Sequence, residues 1–240
     1  MLGAAKLLEI WEHAQDLVPS DRALKFLDLA SPLSEAEALD DLTIGERDQR
    51  LMQLRKRLFG SSLDIQVPCD VCRETMEATL DLDQFAVPGG AGDSHYNAVD
   101  IKGRSFRVRA PTVKDVAELR GTRDRKAIVM ALLASCVQGS NGTTLDPALI
   151  SSDDVAEIAQ YMAQIDSAAD IVVALACPHC GASSQKCLDI THILFREIGD
   201  YARQMLHDIH VIASAYGWTE SDILSISATR RRAYLDMITP

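Results

Sequence analysis

Four of the six cysteines in this 240-residue chain fall in two matched pairs, and no other feature constrains the fold as much. Cys69 and Cys72 lie in Pro68-Cys69-Asp70-Val71-Cys72, and Cys177 and Cys180 in Cys177-Pro178-His179-Cys180-Gly181. A Cys-x-x-Cys on a tight turn presents both sulfurs to one side, and a tetrahedral zinc ion takes two such pairs. Gly181 can supply the positive φ that a knuckle turn requires. The flanks read as strands: Leu63 to Val67 and Met76 to Leu82 alternate around the first pair, and Ile171 to Ala176 and Gln185 to Ile190 surround the second. The expectation is a zinc ribbon made of two β-hairpins, 61–87 and 170–190, with one structural Zn2+ held by Cys69, Cys72, Cys177 and Cys180.

From Cys72 to Cys177 is 105 positions. Loop-closure entropy grows only logarithmically with length, so a folded insertion between the hairpins is tolerable. Metal binding would then become folding energy for distant segments. Four thiolates leave zinc no open position, which makes the site structural rather than catalytic. A redox dithiol is the competing reading, but it belongs at a helix start in a βαβ context, whereas these flanks are strand-like. Cys136, in an apolar helical run, reads as a small buried hydrophobe. Cys187 reads as a packed side chain, with a substitute-ligand role left open, and His179 is superfluous once four thiolates are in place.

Around the ribbon the chain reads as helical, giving an α+β fold that is mostly helix with one additional β-hairpin. Residues 1–60 form an N-terminal helical segment. Leu7, Trp11, Ala14 and Val18 make a stripe ended by Pro19, and Leu24 and Leu27 share a face of the next helix. Ser34 with Glu37 and Thr43 with Glu46 have the spacing of capping boxes, and Leu51, Leu54 and Leu58 lead to a stop at Gly60. Residues 61–190 carry the ribbon with an insertion over 94–169, entered after a break at Pro88-Gly89-Gly90-Ala91-Gly92. The insertion holds a hairpin from Ala98–Ile101 and Phe106–Arg109, a helix opened by Thr112 and Asp115, and a stripe of Ile128, Leu132 and Cys136. A further helix starts near Ser151 or Ser152 and carries Val155, Ile158, Tyr161, Met162 and Ile165. Residues 191–240 form a C-terminal helical segment, with Thr191 capping a stripe of Leu194, Ile198, Tyr201, Met205, Ile209, Ile212 and Tyr216. Gly217 closes that helix and Thr219 with Asp222 opens the next.

Charge argues against a nucleic-acid grip. The chain has 24 Lys and Arg against 35 Asp and Glu, and phosphate affinity comes from cations. The two knuckle segments are acidic as well, with only Arg73 and Lys186 against Asp64, Asp70, Glu74, Glu77, Asp81, Asp83, Asp170 and Asp189. Aromatic content is 5%, too sparse for a base-stacking platform. Basic clusters at Arg104, Arg107 and Arg109 and at Arg230, Arg231 and Arg232 read as solvated or protein-contacting faces. No apolar run reaches the roughly 20 residues of a membrane span, and the N-terminus lacks a signal-peptide pattern. A soluble cytoplasmic product is therefore expected. The sequence has no Walker A loop, no Gly-x-Gly-x-x-Gly, no His-Glu-x-x-His and no Gly-x-Ser-x-Gly, so no enzyme activity is expected. His207 and His210 read as a surface pair. Asp40-Asp41 and Asp153-Asp154 read as helix-terminus acids favoured by the dipole.

The run Tyr216-Gly217-Trp218-Thr219-Glu220-Ser221-Asp222-Ile223-Leu224-Ser225-Ile226-Ser227, followed by Arg230-Arg231-Arg232-Ala233-Tyr234-Leu235, resembles the tail of baseplate proteins. These are proteins of contractile-tailed phages and related injection systems, the T-even-type baseplate hub assembly chaperone family. A Trp11-Glu12 helix, Ile44-Gly45-Glu46-Arg47-Asp48 and the paired knuckles agree with that likeness. The resemblance implies a non-catalytic structural or assembly role in a tail baseplate, alongside other baseplate and tail proteins in a hetero-oligomeric assembly. It places the chain in the host cytoplasm during assembly or in the particle baseplate. Aromatic and arginine side chains favour interfaces, so Trp218, Ile223, Leu224, Arg230, Arg231, Arg232 and Tyr234 are candidate partner contacts. A plain terminal core helix is the competing reading for that segment. For the whole chain, the alternative is a zinc-ribbon module that binds nucleic acid or serves transcription.

Overall fold

The computed structural model describes residues 3–30, 39–85 and 95–238. In chain order its main elements are α1 (Ala4–Ala14), α2 (Pro19–Ala30), α3 (Ile44–Phe59), β1 (Ser62–Pro68), β2 (Thr75–Asp81), β3 (Asn97–Ile101) and β4 (Arg104–Val108). There follow α4 (Val113–Glu118), α5 (Arg125–Cys136), β5 (Val137–Gly139), α6 (Ser152–Ile165), β6 (Val172–Ala176), β7 (Ser183–Cys187), α7 (Ile190–Tyr216), α8 (Glu220–Ser225) and α9 (Ala228–Ile238). The class is the expected one: mostly helical, with small antiparallel sheets. The chain divides into two compact units, one of residues 1–30 with 191–240 and the other of 31–190.

The first unit is all helical. Pro19 does not simply end α1; it opens α2, where its missing N–H is harmless. Val18 is therefore in the connection and exposed, outside the stripe expected for it. Arg22 fastens the turn, donating to the carbonyls of Ala14 and Leu17 at 3.0 and 2.9 Å, with its guanidinium 3.6 Å from the centre of the Phe195 ring. The α7 stripe buries Leu194, Ile198, Met205, Ile209 and Ile212, and Leu8 and Ile223 join its core. Thr191 lies inside α7 rather than capping it, because the helix already begins at Ile190. Tyr216 is exposed at the helix end. Gly217 takes φ 68° to stop the helix, and Thr219 with Asp222 forms the expected capping box of α8.

The second unit carries the sheets. Thr43–Glu46 and Thr112–Asp115 are both reciprocal capping boxes, opening α3 and α4. The two caps pair with each other as an antiparallel bridge, through Ile44 N–H to Pro111 O and Val113 N–H to Leu42 O. β3 and β4 meet in a two-residue turn in which Lys102 (φ 53°) and Gly103 (φ 77°) both have positive φ, as a twist-matched hairpin turn requires. Arg109 falls just beyond β4, and the short β5 adds a third strand that the sequence reading did not anticipate. Ile101, Phe106, Val108, Leu133, Val137, Ile150 and Ile158 form the core here. On α5 the buried side chains are Leu133 and Cys136, not the expected Ile128 and Leu132. Arg109 and Asp115 make a bidentate pair at 2.6 and 2.9 Å, and Arg109 also donates to Ser135 O. The Ser34–Glu37 box and the break at 88–92 lie outside the described residues.

Candidate metal centre

The ribbon strands are fully registered. β1 pairs with β2 from Ser62↔Asp81 to Pro68↔Thr75, and β6 with β7 from Val172↔Cys187 to Ala176↔Ser183. Each hairpin ends in a knuckle, and the two knuckles share one hydrogen-bond pattern. Cys69 donates its N–H to Glu74 O at 2.9 Å and accepts from Arg73 N–H at 3.1 Å. Cys177 donates to Ala182 O and accepts from Gly181 N–H, both at 2.9 Å. In each, the residue after the second cysteine has left-handed backbone: Gly181 at φ 73° and Arg73 at φ 67°. For a non-glycine residue this conformation costs on the order of 1 kcal/mol. The knuckle geometry outweighs the preference of Arg73.

These turns bring four sulfurs together from opposite ends of the second unit's sequence. Cys69 Sγ is 3.7 Å from Cys180 Sγ, Cys72 Sγ is 3.6 Å from Cys177 Sγ, and all four lie within 4.8 Å of one another. Disulfides would need sulfurs at about 2.05 Å, and all four thiols are free. Ligands at about 2.3 Å from a tetrahedral zinc stand about 3.8 Å apart along each edge. The donor set and spacing fit a four-thiolate ion site, which these residues could hold. Cys69 and Cys177 are buried with Met76, Cys72 is half-buried and Cys180 exposed. Lys186 on β7 reaches Asp70 Oδ1 of the first knuckle at 2.5 Å and holds that carboxyl below its usual range.

The sulfur electrostatics are uneven. The N–H groups of Cys72 and Val71 point at Cys69 and lower its thiol to about 6. At Cys72 the Glu74 N–H favours the thiolate, but desolvation and three neighbouring sulfurs outweigh it and push the thiol up to about 12. Crowded thiols share charge in this way because adjacent thiolates repel. A divalent ion would remove that repulsion and let all four ionise.

The other chemistry-bearing residues lie elsewhere. Cys136 is buried, and desolvation pushes its thiol up to about 12. Cys187 is exposed, contacts Asp170 at 3.2 Å and is not in the cluster; nor is His179, also exposed. His207 and His210 are exposed on α7. Of the strand arginines, Arg104 binds Asp154, Arg107 lies over the Tyr96 ring and Arg109 binds Asp115, so this cluster is engaged internally. At the C-terminus, Ile223 is fully buried and Arg231 nearly so, paired with Asp208 at 3.6 Å. Those two side chains are committed inside the first unit. Arg230 and Arg232 face outward, Leu224 is half-buried, and Trp218 and Tyr234 pack with Tyr216 at ring separations of 4.9 to 5.6 Å. Among the described residues, no helix is long and apolar enough to cross a membrane.

A family model described as T4 bacteriophage base plate protein matches residues 28–195. The matched segment contains both knuckles and the Ile44–Asp48 patch, whereas Trp11 and the run from Tyr216 lie outside it. The match names the base plate family and no chaperone subgroup. No curated protein and no solved structure matches the chain significantly.

Proposed function

The chain belongs to the T4 bacteriophage base plate protein family, and from that premise we propose that it is a non-enzymatic structural or assembly protein of a contractile tail baseplate, stapled by one structural zinc. The observation that carries the zinc is the four-sulfur cluster, within 4.8 Å throughout and with two edges of tetrahedral length. A closed thiolate site stabilises and does not catalyse, which agrees with the absence of catalytic motifs from the sequence. The ion fixes two hairpins whose cysteines are 105 positions apart, so metal energy becomes folding energy for the unit between them.

Its partners in this reading are other baseplate and tail proteins, met in the host cytoplasm during assembly and retained at the baseplate if the chain stays in the particle. Trp218, Leu224, Tyr234, Arg230 and Arg232 are the candidate terminal contacts in this reading. A nucleic-acid module is disfavoured by the acidic hairpins and by the internal pairing of Arg104 and Arg109. The test is co-purification of the tagged chain with the baseplate proteins of its phage or particle, beside DNA binding at low and moderate salt. Co-purification without salt-sensitive DNA binding supports the proposal; strong salt-sensitive DNA binding with no baseplate partner overturns it.

A further inference from the structure

Residues 120–126, Arg-Gly-Thr-Arg-Asp-Arg-Lys, carry four cations against one acid in a chain of net charge −11. All seven residues are exposed. The single acid, Asp124, is turned back as the α5 cap, accepting from Lys126 N–H at 3.0 Å. Arg123, Arg125 and Lys126 have no ion-pair partner among the described residues. Arg125 and Lys126 also occupy the first turn of α5, where the helix dipole favours anions and disfavours cations. The helix terminus and the free cations thus project positive potential from one place.

The helix that follows is apolar yet only partly covered. Residues 127–134 are apolar without interruption. In all of α5, however, only Leu133 and Cys136 are buried. Val129 is 36% exposed, and Ile128 and Leu132 keep part of their surface in water. An apolar patch beside a charged edge has the make-up of a protein interface.

We propose that the loop before α5 and the partly exposed flank of α5, beside its buried side, dock an acidic, amphipathic protein segment. Its carboxylates meet Arg123, Arg125 and Lys126, and its apolar stripe covers Ile128, Val129 and Leu132. Charge complementarity selects the acidic partner. Nucleic acid fits less well, because residues 112–137 contain no aromatic side chain for stacking and the chain as a whole repels phosphate. A lipid surface fits less well, because the cations sit at one end of the helix instead of along its flank. The assignment deepens the baseplate reading by naming a surface for a neighbour, and rests on it only for the neighbour's identity.

The test uses the full-length, zinc-loaded chain and a fluorescent 20-residue synthetic peptide, Glu-rich with Leu at i, i+3, i+4 and i+7 spacing. Anisotropy is expected to show micromolar binding, weakened at least tenfold by R123E/R125E/K126E and by V129D. Both variants should keep the wild-type circular dichroism, and the triple variant should be no less stable, since reversal favours the dipole. A scrambled peptide of equal composition should bind at least tenfold more weakly. No binding to the wild type, equal binding by the variants, or equal binding of the scrambled peptide overturns the proposal. So does tighter binding of a 20-base-pair DNA or of phosphatidylcholine–phosphatidylserine vesicles through the same residues. If the triple variant still co-purifies with baseplate proteins as the wild type does, the surface is refuted and the baseplate role stands. If the wild type itself fails to co-purify, the baseplate role falls while the peptide measurement still decides the surface.

Discussion

Gly45→Ala tests the packing at the start of α3. Gly45 N–H donates to Asp166 Oδ2 at 2.9 Å, and Asp166 is buried. A Cβ on Gly45 would stand 2.0 Å from Asp166 Oδ1, 2.8 Å from its Cγ and 3.0 Å from Ala168 Cβ. The carboxyl must leave, so the bond from Gly45 is lost. Losing a hydrogen bond to a charged group costs about 1.5–3 kcal/mol, and overpacking costs about 1–3 kcal/mol. The sum is about 2.5–6 kcal/mol, or roughly 60- to 20,000-fold at about 1.4 kcal/mol per factor of ten. Hydrogen exchange is the suitable assay, because both tryptophans, Trp11 and Trp218, lie outside residues 31–190. Slow amides of residues 44–59 should exchange faster by that factor. In an Asp166→Ala background the same substitution should cost at least about 1 kcal/mol less, since the two sites are coupled. Acceleration under about fivefold, or strict additivity with Asp166→Ala, would show that Gly45 and Asp166 are not packed in this way.

Further outcomes follow from the same structure. Arg73→Gly relieves left-handed strain at φ 67° and should stabilise the zinc-loaded protein by about 0.5–1 kcal/mol in urea unfolding, net of glycine's backbone entropy. Cys180→Ser should lose most bound metal, whereas Cys187→Ser, outside the cluster, should retain a full complement by metal analysis. Asp115→Asn leaves the half-buried Arg109 without its carboxylate and should cost about 1.5–3 kcal/mol at neutral pH. The Asp115 carboxyl is held down by Arg109 and Thr112 against a desolvation penalty. Its contribution is therefore full above the unfolded value of about 3.9 and is lost as pH falls toward the folded value. The gap between wild type and Asp115→Asn, measured by urea unfolding, should accordingly narrow between pH 7 and pH 3.5.

The parts of the fold that rest on local chemistry were legible from residues alone. Thr43 with Glu46, Thr112 with Asp115 and Thr219 with Asp222 form the expected reciprocal caps, because a capping box is closed within four residues. The cysteine cluster was legible for a related reason: each pair is local, and only metal chemistry is needed to join them. Tertiary choices were not. Leu133 is buried and Leu132 is not, because the α5 face is chosen by the sheet against which it packs, and an unbroken apolar run carries no period. Arg231 looked like one of three equivalent cations, but the buried Asp208 opposite it lies 23 positions away. Gly45 belonged to a patch quoted for its likeness to baseplate proteins, and its cause, the Asp166 carboxyl, is 121 positions distant. The positive φ of Arg73 became apparent only beside Gly181, in the matching place of the second knuckle.

Metal analysis of protein purified without added zinc decides whether one ion staples two hairpins distant in sequence. One zinc per chain is expected, with the exposed Cys187 reacting with a thiol reagent and the four knuckle cysteines protected until a chelator is added. Less than about half an equivalent of zinc, with the knuckle thiols reacting freely from the start, would contradict it.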